Sequence, residues 1–172
     1  MTGTLKVDAI QNNTGTSVMN FNTNGIITKP NQPSFEVSVP NSHTATAAGT
    51  TYWLHNWGKT HHNVGGHMNL TNGRFTAPVS GSYFFHAIIM NPTNIQNPHL
   101  AFGINNSPNG GGGTYVNNDM WVHPADGVTG LIQIAHVIYL NANDFVRTYI
   151  YAYTSSDIGS KARCYFGGYL IG

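Results

Sequence analysis

Residues 72–85 read Asn-Gly-Arg-Phe-Thr-Ala-Pro-Val-Ser-Gly-Ser-Tyr-Phe-Phe, and this stretch decides the fold. Gly73 can adopt the positive φ of a tight turn, so a strand can begin directly after it. Pro78 has no N–H to donate to a neighbouring strand, and the first strand must therefore end before it. Gly81 then allows the chain to turn into a second extended run. The pattern predicts strands at residues 74–77 and 82–90, joined by a corner.

The second of these strands is apolar on both of its faces. Successive side chains of a strand point to opposite sides, so Tyr83 and Phe85 share one face while Phe84 and Ile88 share the other. A strand that is apolar on both sides needs cover on both sides. This pattern favours a sandwich whose outer surface is buried by another chain.

The composition is typical of an all-β domain. At 172 residues the chain can form one domain with a sizeable core and a short extension. Its 20 glycines and 8 prolines favour turns, and the segments between them are rich in β-branched and aromatic residues. Seven basic and six acidic residues nearly cancel, so we expect no nucleic-acid partner. No apolar run reaches membrane-spanning length, so we expect no membrane insertion.

Two further motifs of turn and strand residues follow later in the chain. Residues 140–146, Leu-Asn-Ala-Asn-Asp-Phe-Val, form a turn before an apolar strand, and residues 165–171, Tyr-Phe-Gly-Gly-Tyr-Leu-Ile, form an aromatic and glycine-rich last strand. With Phe35 after Pro33, these motifs resemble the globular head of the complement first component's q subcomponent and its relatives. The resemblance covers residues 33–172, although the chain has no collagen-like Gly-X-Y stalk.

This resemblance implies a ten-stranded jelly-roll sandwich, shared with tumour necrosis factor, that assembles as a homotrimer. It implies no activity, because members of the family bind proteins, glycans or charged surfaces. Further strands of the roll are predicted at residues 35–39, 51–54, 100–104, 120–123, 131–140, 145–153 and 163–171.

Two apolar patterns in the later strands are candidates for contacts between subunits. One is the face formed by the residues Ile132, Ile134, Ile138 and Leu140. The other is the stripe of Tyr149, Tyr151 and Tyr153. In the family that the chain resembles, one sheet faces the threefold axis, so these tyrosines are predicted to lie in the trimer interface. The alternative is that they are ordinary core residues whose hydroxyl groups reach the rim.

Residues 1–32 are predicted to be a separate arm for attachment or trimerisation, ending in a linker that contains Pro30 and leads to Pro33. Short strands are expected at residues 5–10, 18–21 and 25–28, and none could bury a core alone. The run Gly-Thr-Leu-Lys-Val-Asp-Ala-Ile-Gln at residues 3–11 resembles stretches of bacteriophage tail-fibre and other virion proteins. The resemblance implies that residues 1–30 bind other virion proteins. The alternative is a plain polar arm with a few strands.

The single cysteine, Cys164, cannot form an internal disulfide, and the first residues lack the apolar core of a signal peptide. Both features are unusual for a secreted relative of the complement head. They favour a chain that is synthesised and folded in the reducing cytoplasm of a host. Such a chain would reach the virion surface as part of the particle.

The densest group of the nine histidines lies in a segment that contains glycine and is predicted to be a loop. Its members His61, His62 and His67 are the candidate metal ligands. If the segment is extended, His61 and His62 point in opposite directions, so one chain is unsuited to chelate with both. Near a threefold axis one histidine would supply three imidazoles, enough for zinc, nickel or iron. The spacing is not diagnostic, and hydrogen-bonding or exposed histidines are the favoured interpretation. We therefore expect no metal and no cofactor. His86 and His136 lie in apolar strands and are predicted to be core groups.

No motif predicts catalysis. The only close acidic pair, Asp119 and Asp126, flanks Trp121 and Pro124 and is better suited to shape turns. There is no Gly-X-Ser-X-Gly sequence, and the glycine run at residues 110–113 is not followed by the lysine of a phosphate loop. We therefore expect no enzyme, with an enzyme acting on polysaccharide as a minor alternative.

The functional hypothesis is a trimeric bacteriophage virion protein, with receptor binding at the tip of a tail fibre as its role in host attachment. The ligand would be a glycan or protein of the host surface. Aromatic rings can stack on sugars, and side-chain amides can bond to hydroxyl groups without charge. The candidate ligand-binding residues in the loops are Asn94, Gln96, Asn106, Asn109, Tyr115 and Trp121. The alternative is a decoration protein that cements the capsid or forms a head fibre.

Overall fold

The computed structural model describes residues 6–38, 43–45, 50–91, 99–105, 114–115, 130–152, 156–158 and 164–172. All regular secondary structure in these residues is β-strand, which confirms the all-β fold class. The strands are β1 (Ala9–Gln11), β2 (Ser17–Phe21), β3 (Ile27–Thr28), β4 (Ser34–Ser38), β5 (His43–Ala45), β6 (Thr50–Trp53), β7 (Lys59–Val64), β8 (Met68–Asn69), β9 (Arg74–Thr76), β10 (Gly81–Asn91), β11 (His99–Ile104), β12 (Thr114–Tyr115), β13 (Gly130–Leu140), β14 (Phe145–Ala152), β15 (Ser156–Ile158) and β16 (Tyr165–Leu170).

Two large antiparallel sheets form the roll. The five-stranded sheet has the order β13-β10-β16-β4-β7, and the six-stranded sheet has the order β12-β11-β14-β9-β8, with β6 also paired to β14. Strands that are neighbours in a sheet are mostly distant in sequence, as in a jelly roll. The arm strands β1, β2 and β3 form a small sheet of their own, and β15 pairs with β5. The division between residues 1–32 and 33–172 stays a prediction.

The corner predicted at Pro78 carries the chain from one sheet to the other. Gly73 has a φ of +64°, and β9 after it belongs to the six-stranded sheet. Beyond Pro78, β10 lies inside the five-stranded sheet, where it pairs with β13 on one side and β16 on the other. The sequence 72–85 therefore joins the two layers of the sandwich.

The core between the sheets is built on aromatic side chains. Phe35 of β4 stacks on Phe75 of β9, with ring centroids 4.9 Å apart, and meets Phe166 of β16 edge-on at 4.8 Å. Phe75 also contacts Phe85 of β10 at 5.5 Å. Such pairs contribute about 0.5–1.5 kcal/mol each beyond the area that they bury. The two sheets are thus joined by rings from the resemblance motifs at residues 72–85 and 165–171.

The turn between β13 and β14 is held by one carboxylate. Asp144 accepts hydrogen bonds from Asn105 Nδ2 at 2.8 Å and from the backbone N–H of Asn141 at 2.8 Å. The Asn105 side chain returns a bond by accepting the N–H of Phe145 at 3.0 Å. The bond from Asn105, followed by those from Asn141, lowers the pKa of Asp144 below its ordinary value. The ionised form of this residue therefore ties the turn to the end of β11.

We expect the Asp144→Ala variant to unfold with a free energy about 1 kcal/mol lower than the wild type at pH 7. The folded pKa of Asp144 is depressed, so its contribution is complete above the unfolded pKa of about 3.9 and is lost as the pH falls through the folded value. Urea unfolding at pH 7, 5 and 3 should show the difference between variant and wild type shrinking at the acid end. Asp8→Ala, at an exposed position, is the control and should change stability by less than about 0.5 kcal/mol.

Several strand predictions are corrected or lie outside the described residues. The histidine segment, expected as a loop, is the edge strand β7. The first arm strand was predicted at residues 5–10 but occupies Ala9–Gln11. The strand predicted at residues 120–123 falls outside the described part of the chain. Strand β7 escaped detection because an edge strand with exposed side chains needs no apolar alternation.

Candidate functional site

The five-stranded sheet presents an exposed apolar surface on the side that faces away from the core. We call this side the outer face, and it contains the residues of β13, β10, β16, β4 and β7 whose side chains point away from the core. Several of its side chains are large, apolar and open to solvent: Val137 is 51 % exposed, Tyr139 is 65 % exposed and Tyr169 is 49 % exposed. Because the opposite side of the same strands forms the core, the outer face is a second apolar surface on one sheet.

Rings and a shallow depression shape the middle of the outer face. The Phe84 and Tyr169 rings lie 5.4 Å apart across β10 and β16. The His86 ring lies over Gly167, where a Cβ atom would overlap it. Beside His86 is a depression of about 370 Å³ whose lining includes Ile88 and Gln133. His86, predicted to be a core group, is therefore half-buried on the outer face.

The other half of the outer face is polar and carries two histidines. The pairing of β4 with β7 shifts register between Glu36 and Val37, so His61 is the extra residue of a β-bulge. His61 Nε2 lies 3.2 Å from Ser38 Oγ, and His62 is in register with Glu36. Both partners belong to the outer face, so both histidines do too. The expectation that they point in opposite directions is wrong because the bulge interrupts the alternation.

The third metal candidate, His67, lies elsewhere in the fold. Its ring packs edge-on against Phe75 at 6.4 Å and sits above Gly65, in the turn after β7. The structure thus brings His61 and His62 to one surface and leaves His67 apart. In the part of the chain that the structure describes, no three His, Cys, Asp or Glu side chains are grouped to hold a metal ion.

Two of the predicted interface tyrosines, Tyr149 and Tyr151, belong to β14 of the six-stranded sheet. Tyr149 of β14 has no exposed surface, so in the single chain it is a buried residue beside Trp53 and Ala101. The backbone of Tyr151 pairs with His99, and its side chain is outside the described residues, as is the whole of Tyr153. Among the tyrosines whose side chains the structure describes, the exposed ones are Tyr139 and Tyr169 on the outer face of the other sheet. The predicted apolar face of Ile132, Ile134, Ile138 and Leu140 is part of the core.

The predicted ligand-binding loops fall largely outside the described part of the chain. Tyr115 belongs to β12, where it pairs with Gly103, but its side chain is not described. The other candidates, which stay predictions, are Asn94, Gln96, Asn106, Asn109 and Trp121.

The lone thiol is unsuited to act as a nucleophile. Cys164 is buried against the core beside β16, and burial raises the pKa of its thiol. The thiolate, which is the reactive form, is thereby disfavoured. Cys164 therefore behaves as a small core residue, as its position in the final strand pattern predicts.

The similarity of this chain to known proteins is in structure and not in sequence. No protein-family model matches the chain, and no curated protein matches it significantly in sequence. The globular domain of zebrafish complement 1qA is similar in structure, with a TM-score of 0.56, 15 % identity and coverage of 82 % of this chain and 98 % of that one. The described part of the chain contains no helix with the length and hydropathy needed to cross a membrane.

Two further solved structures are similar. Murine APRIL at pH 5.0 gives a TM-score of 0.60 at 9 % identity and covers 81 % of this chain and 99 % of its own. Eiger TNF from S. frugiperda gives a TM-score of 0.58 at 8 % identity and covers 82 % of this chain and 93 % of its own. At such identities the likeness concerns the fold. The chain thus has the jelly-roll fold of the complement 1q globular domain and of tumour necrosis factor proteins.

Proposed function

We propose that this chain is a non-enzymatic homotrimeric virion protein of a bacteriophage, and that its roll binds a glycan or protein of the host surface at the tip of a tail fibre. The observation that carries the proposal is the apolar outer face, with Val137, Tyr139 and Tyr169 about half exposed or more. Monomeric proteins rarely leave so many large apolar side chains on one sheet face without a partner.

The two halves of the outer face differ, which favours a closed ring of copies. The half on β13, β10 and β16 is apolar, while the half on β4 and β7 carries Glu36, His61 and His62. Contact between unlike surfaces of neighbouring copies closes into a ring when the rotation is right. Three copies are the expectation implied by the resemblance of residues 33–172. Specific interfaces bury about 800 Å² per partner, and the outer face is the apolar surface suited to this.

The arm supports attachment to a particle. Its strands contain three, five and two residues, and a sheet so small is at best marginally stable alone. Ile10, Val18 and Ile27 are nevertheless exposed on it. A groove of about 740 Å³ between Ile27 of the arm and Tyr169 of the roll continues the outer face toward the arm. Together with the resemblance of residues 3–11 to virion proteins, this favours an arm that packs on neighbouring subunits or on other virion proteins.

A second function, decoration of the capsid, is favoured by the way in which the arm folds back. Asn31 Nδ2 donates to the Ser17 carbonyl at 3.0 Å, and Gln32 Nε2 donates to the Leu170 carbonyl. The arm thus lies beside the end of the roll and does not extend as a shaft. A compact trimer of this kind reaches only a short distance from the particle surface.

Competition and labelling test these functions. If the protein binds a receptor, purified trimer in excess should reduce adsorption of the parent particle to its host at least tenfold, and an unrelated protein of equal mass should not.

Antibody against the chain should label fibre tips in electron micrographs. Label spread over the capsid, without competition, would favour decoration. Absence of label from the particle would overturn the virion assignment, and sugar released from host envelope would show an enzyme.

A further inference from the structure

A row of stacked cationic and aromatic groups crosses the outside of the six-stranded sheet. The Arg74 guanidinium lies 3.8 Å from the centre of the Phe145 ring, and Arg147 lies 5.2 Å from the same centre. Arg147 also lies 4.4 Å from the Trp53 ring, which stacks on His55 at 4.4 Å and 22°. We call these five residues the cation–aromatic row. Each neighbouring pair has the geometry of a cation–π or ring-stacking contact.

Three strands build this row from distant parts of the sequence. Phe145 and Arg147 alternate along β14 with Val146, which belongs to the core, so they point away from it. Arg74 precedes the core residue Phe75 on β9, which pairs with β14. Trp53 ends β6, which pairs with residues 149–152 of β14, beyond Arg147 along the strand. The row therefore lies on the opposite side of the sandwich from the outer face, away from the proposed contact between copies.

Within the described ranges, no acidic side chain neutralises the charge of Arg74. Its Nε atom is buried and has no hydrogen-bond partner among the described residues, and none of their carboxylates forms an ion pair with it. Burial lowers the pKa of Arg74, and the like charge of Arg147 lowers it further, while Tyr149 has a smaller opposite effect. Arg147 is only 3 % exposed. The half-buried Arg74 is the member of the pair that a ligand can reach.

A guanidinium fixed on an aromatic ring is well suited to bind an oxyanion. Its planar fork can donate two parallel hydrogen bonds to a carboxylate or a sulfate group. Stacking on Phe145 restricts the rotation of this side chain and reduces the entropy lost on binding. The half-buried rings of Phe145 and Trp53 offer apolar surface beside the charge, which is what a sugar ring requires.

We propose that the cation–aromatic row binds an acidic polysaccharide, with Arg74 holding an oxyanion group of one sugar and the neighbouring rings packing against the chain. This inference rests on the proposed receptor-binding function and names its ligand class. The oxyanion is a carboxylate of a uronic acid or a sulfate ester, which share the geometry that the Arg74 fork recognises.

Binding of the full-length protein to immobilised alginate, dextran sulfate and neutral dextran tests the proposal. We expect the wild type to bind at least one of the two charged polymers and not neutral dextran. Arg74→Gln should weaken that binding at least tenfold, or about 1.4 kcal/mol, because the fork and its charge are lost. Arg74→Lys should fall between the two, since it keeps the charge without the fork. Preference for alginate or for dextran sulfate identifies the carboxylate or the sulfate as the group bound.

Lys6→Gln is the matched control, because it removes the same charge from an exposed position in the arm. It should bind like the wild type, and equal losses in Lys6→Gln and Arg74→Gln would overturn the site in favour of general charge attraction. Thermal unfolding must show that Arg74→Gln is folded; if it is not, Arg74→Lys carries the comparison. A wild type that blocks particle adsorption but binds neither charged polymer would overturn the inference and leave the proposed function intact. A wild type that does neither would overturn both.

Discussion

The Val137→Asp variant is expected to be a folded monomer under conditions in which the wild type is a trimer. Val137 is 51 % exposed on the outer face, in register with Phe84 of β10, so its substitution leaves the core untouched. In the assembled ring each copy would bury one carboxylate in apolar surroundings. An unpaired buried charge costs several kcal/mol, and association should therefore weaken more than a hundredfold.

Sedimentation velocity at micromolar concentration gives the measurement, since the 18.6 kDa chain and its trimer separate clearly. Val79→Asp is the control because Val79 is nearly as exposed, at 48 %, but lies in the loop before β10, off the outer face. This variant should remain a trimer. A wild type that sediments as a well-folded monomer would show that the outer face is not a contact between copies, and the proposed function would lose its main support.

The Gly73→Ala variant is expected to lose several kcal/mol of unfolding free energy. Gly73 has a φ of +64°, which costs about 1–2 kcal/mol for a residue with a Cβ. The added Cβ would also collide with the backbone carbonyl of Leu54. That backbone cannot move freely, because the Leu54 N–H donates to the Thr148 carbonyl at 2.9 Å. Overpacking of this kind adds about 1–3 kcal/mol.

The Gly66→Ala variant separates the free-energy cost of the positive φ from the cost of the collision with Leu54. Gly66 has a similar φ of +72°, but nothing lies within 4 Å of the position that its Cβ would take. Chemical denaturation of both variants should therefore place Gly66→Ala about 1–2 kcal/mol below the wild type and Gly73→Ala well below that. Equal losses in the two variants would mean that the Leu54 segment yields to the added methyl group and that the clash contributes nothing.

The parts of the fold that local chemistry controls were predictable from the sequence. Gly73, Pro78 and Gly81 define the ends of β9 and β10 because turn residues act through their own backbone geometry. The turn at residues 140–146 is the one that Asp144 holds between β13 and β14. The alternation of Tyr83 and Phe84 indicated correctly that β10 has two apolar faces.

The alternation of side chains along a strand could not predict which of its two faces meets the core. A period of two separates the residues of a strand into two sets without saying which set meets the core. On β13 both sets are apolar: Ile132 and Ile138 face the core, and Val137 and Tyr139 face outward. Tyr149, a predicted interface residue, is buried within the single chain, and its place in a trimer interface stays a prediction. Only the packing of the second sheet decides which side is covered.

The arrangement of the histidine segment and of the cation–aromatic row could not be predicted from the sequence either. The side chains of His61 and His62 share a side because of a bulge that pairing with β4 imposes, and the residues alone give no sign of it. The row unites Trp53, Arg74 and Arg147 from three strands whose order in the sheet is not their order in the chain. Its positive charge is invisible in a sequence with seven basic and six acidic residues.

By itself the sequence determined that this chain forms strands, where its central corner lies, and that the strand after the corner is apolar on both faces. It did so because turn chemistry and apolar alternation act between residues close along the chain. The tertiary structure alone decided which apolar side chains remain exposed on the outer face and which cations meet on the opposite sheet. These depend on register between strands that are far apart in sequence, which no local pattern encodes.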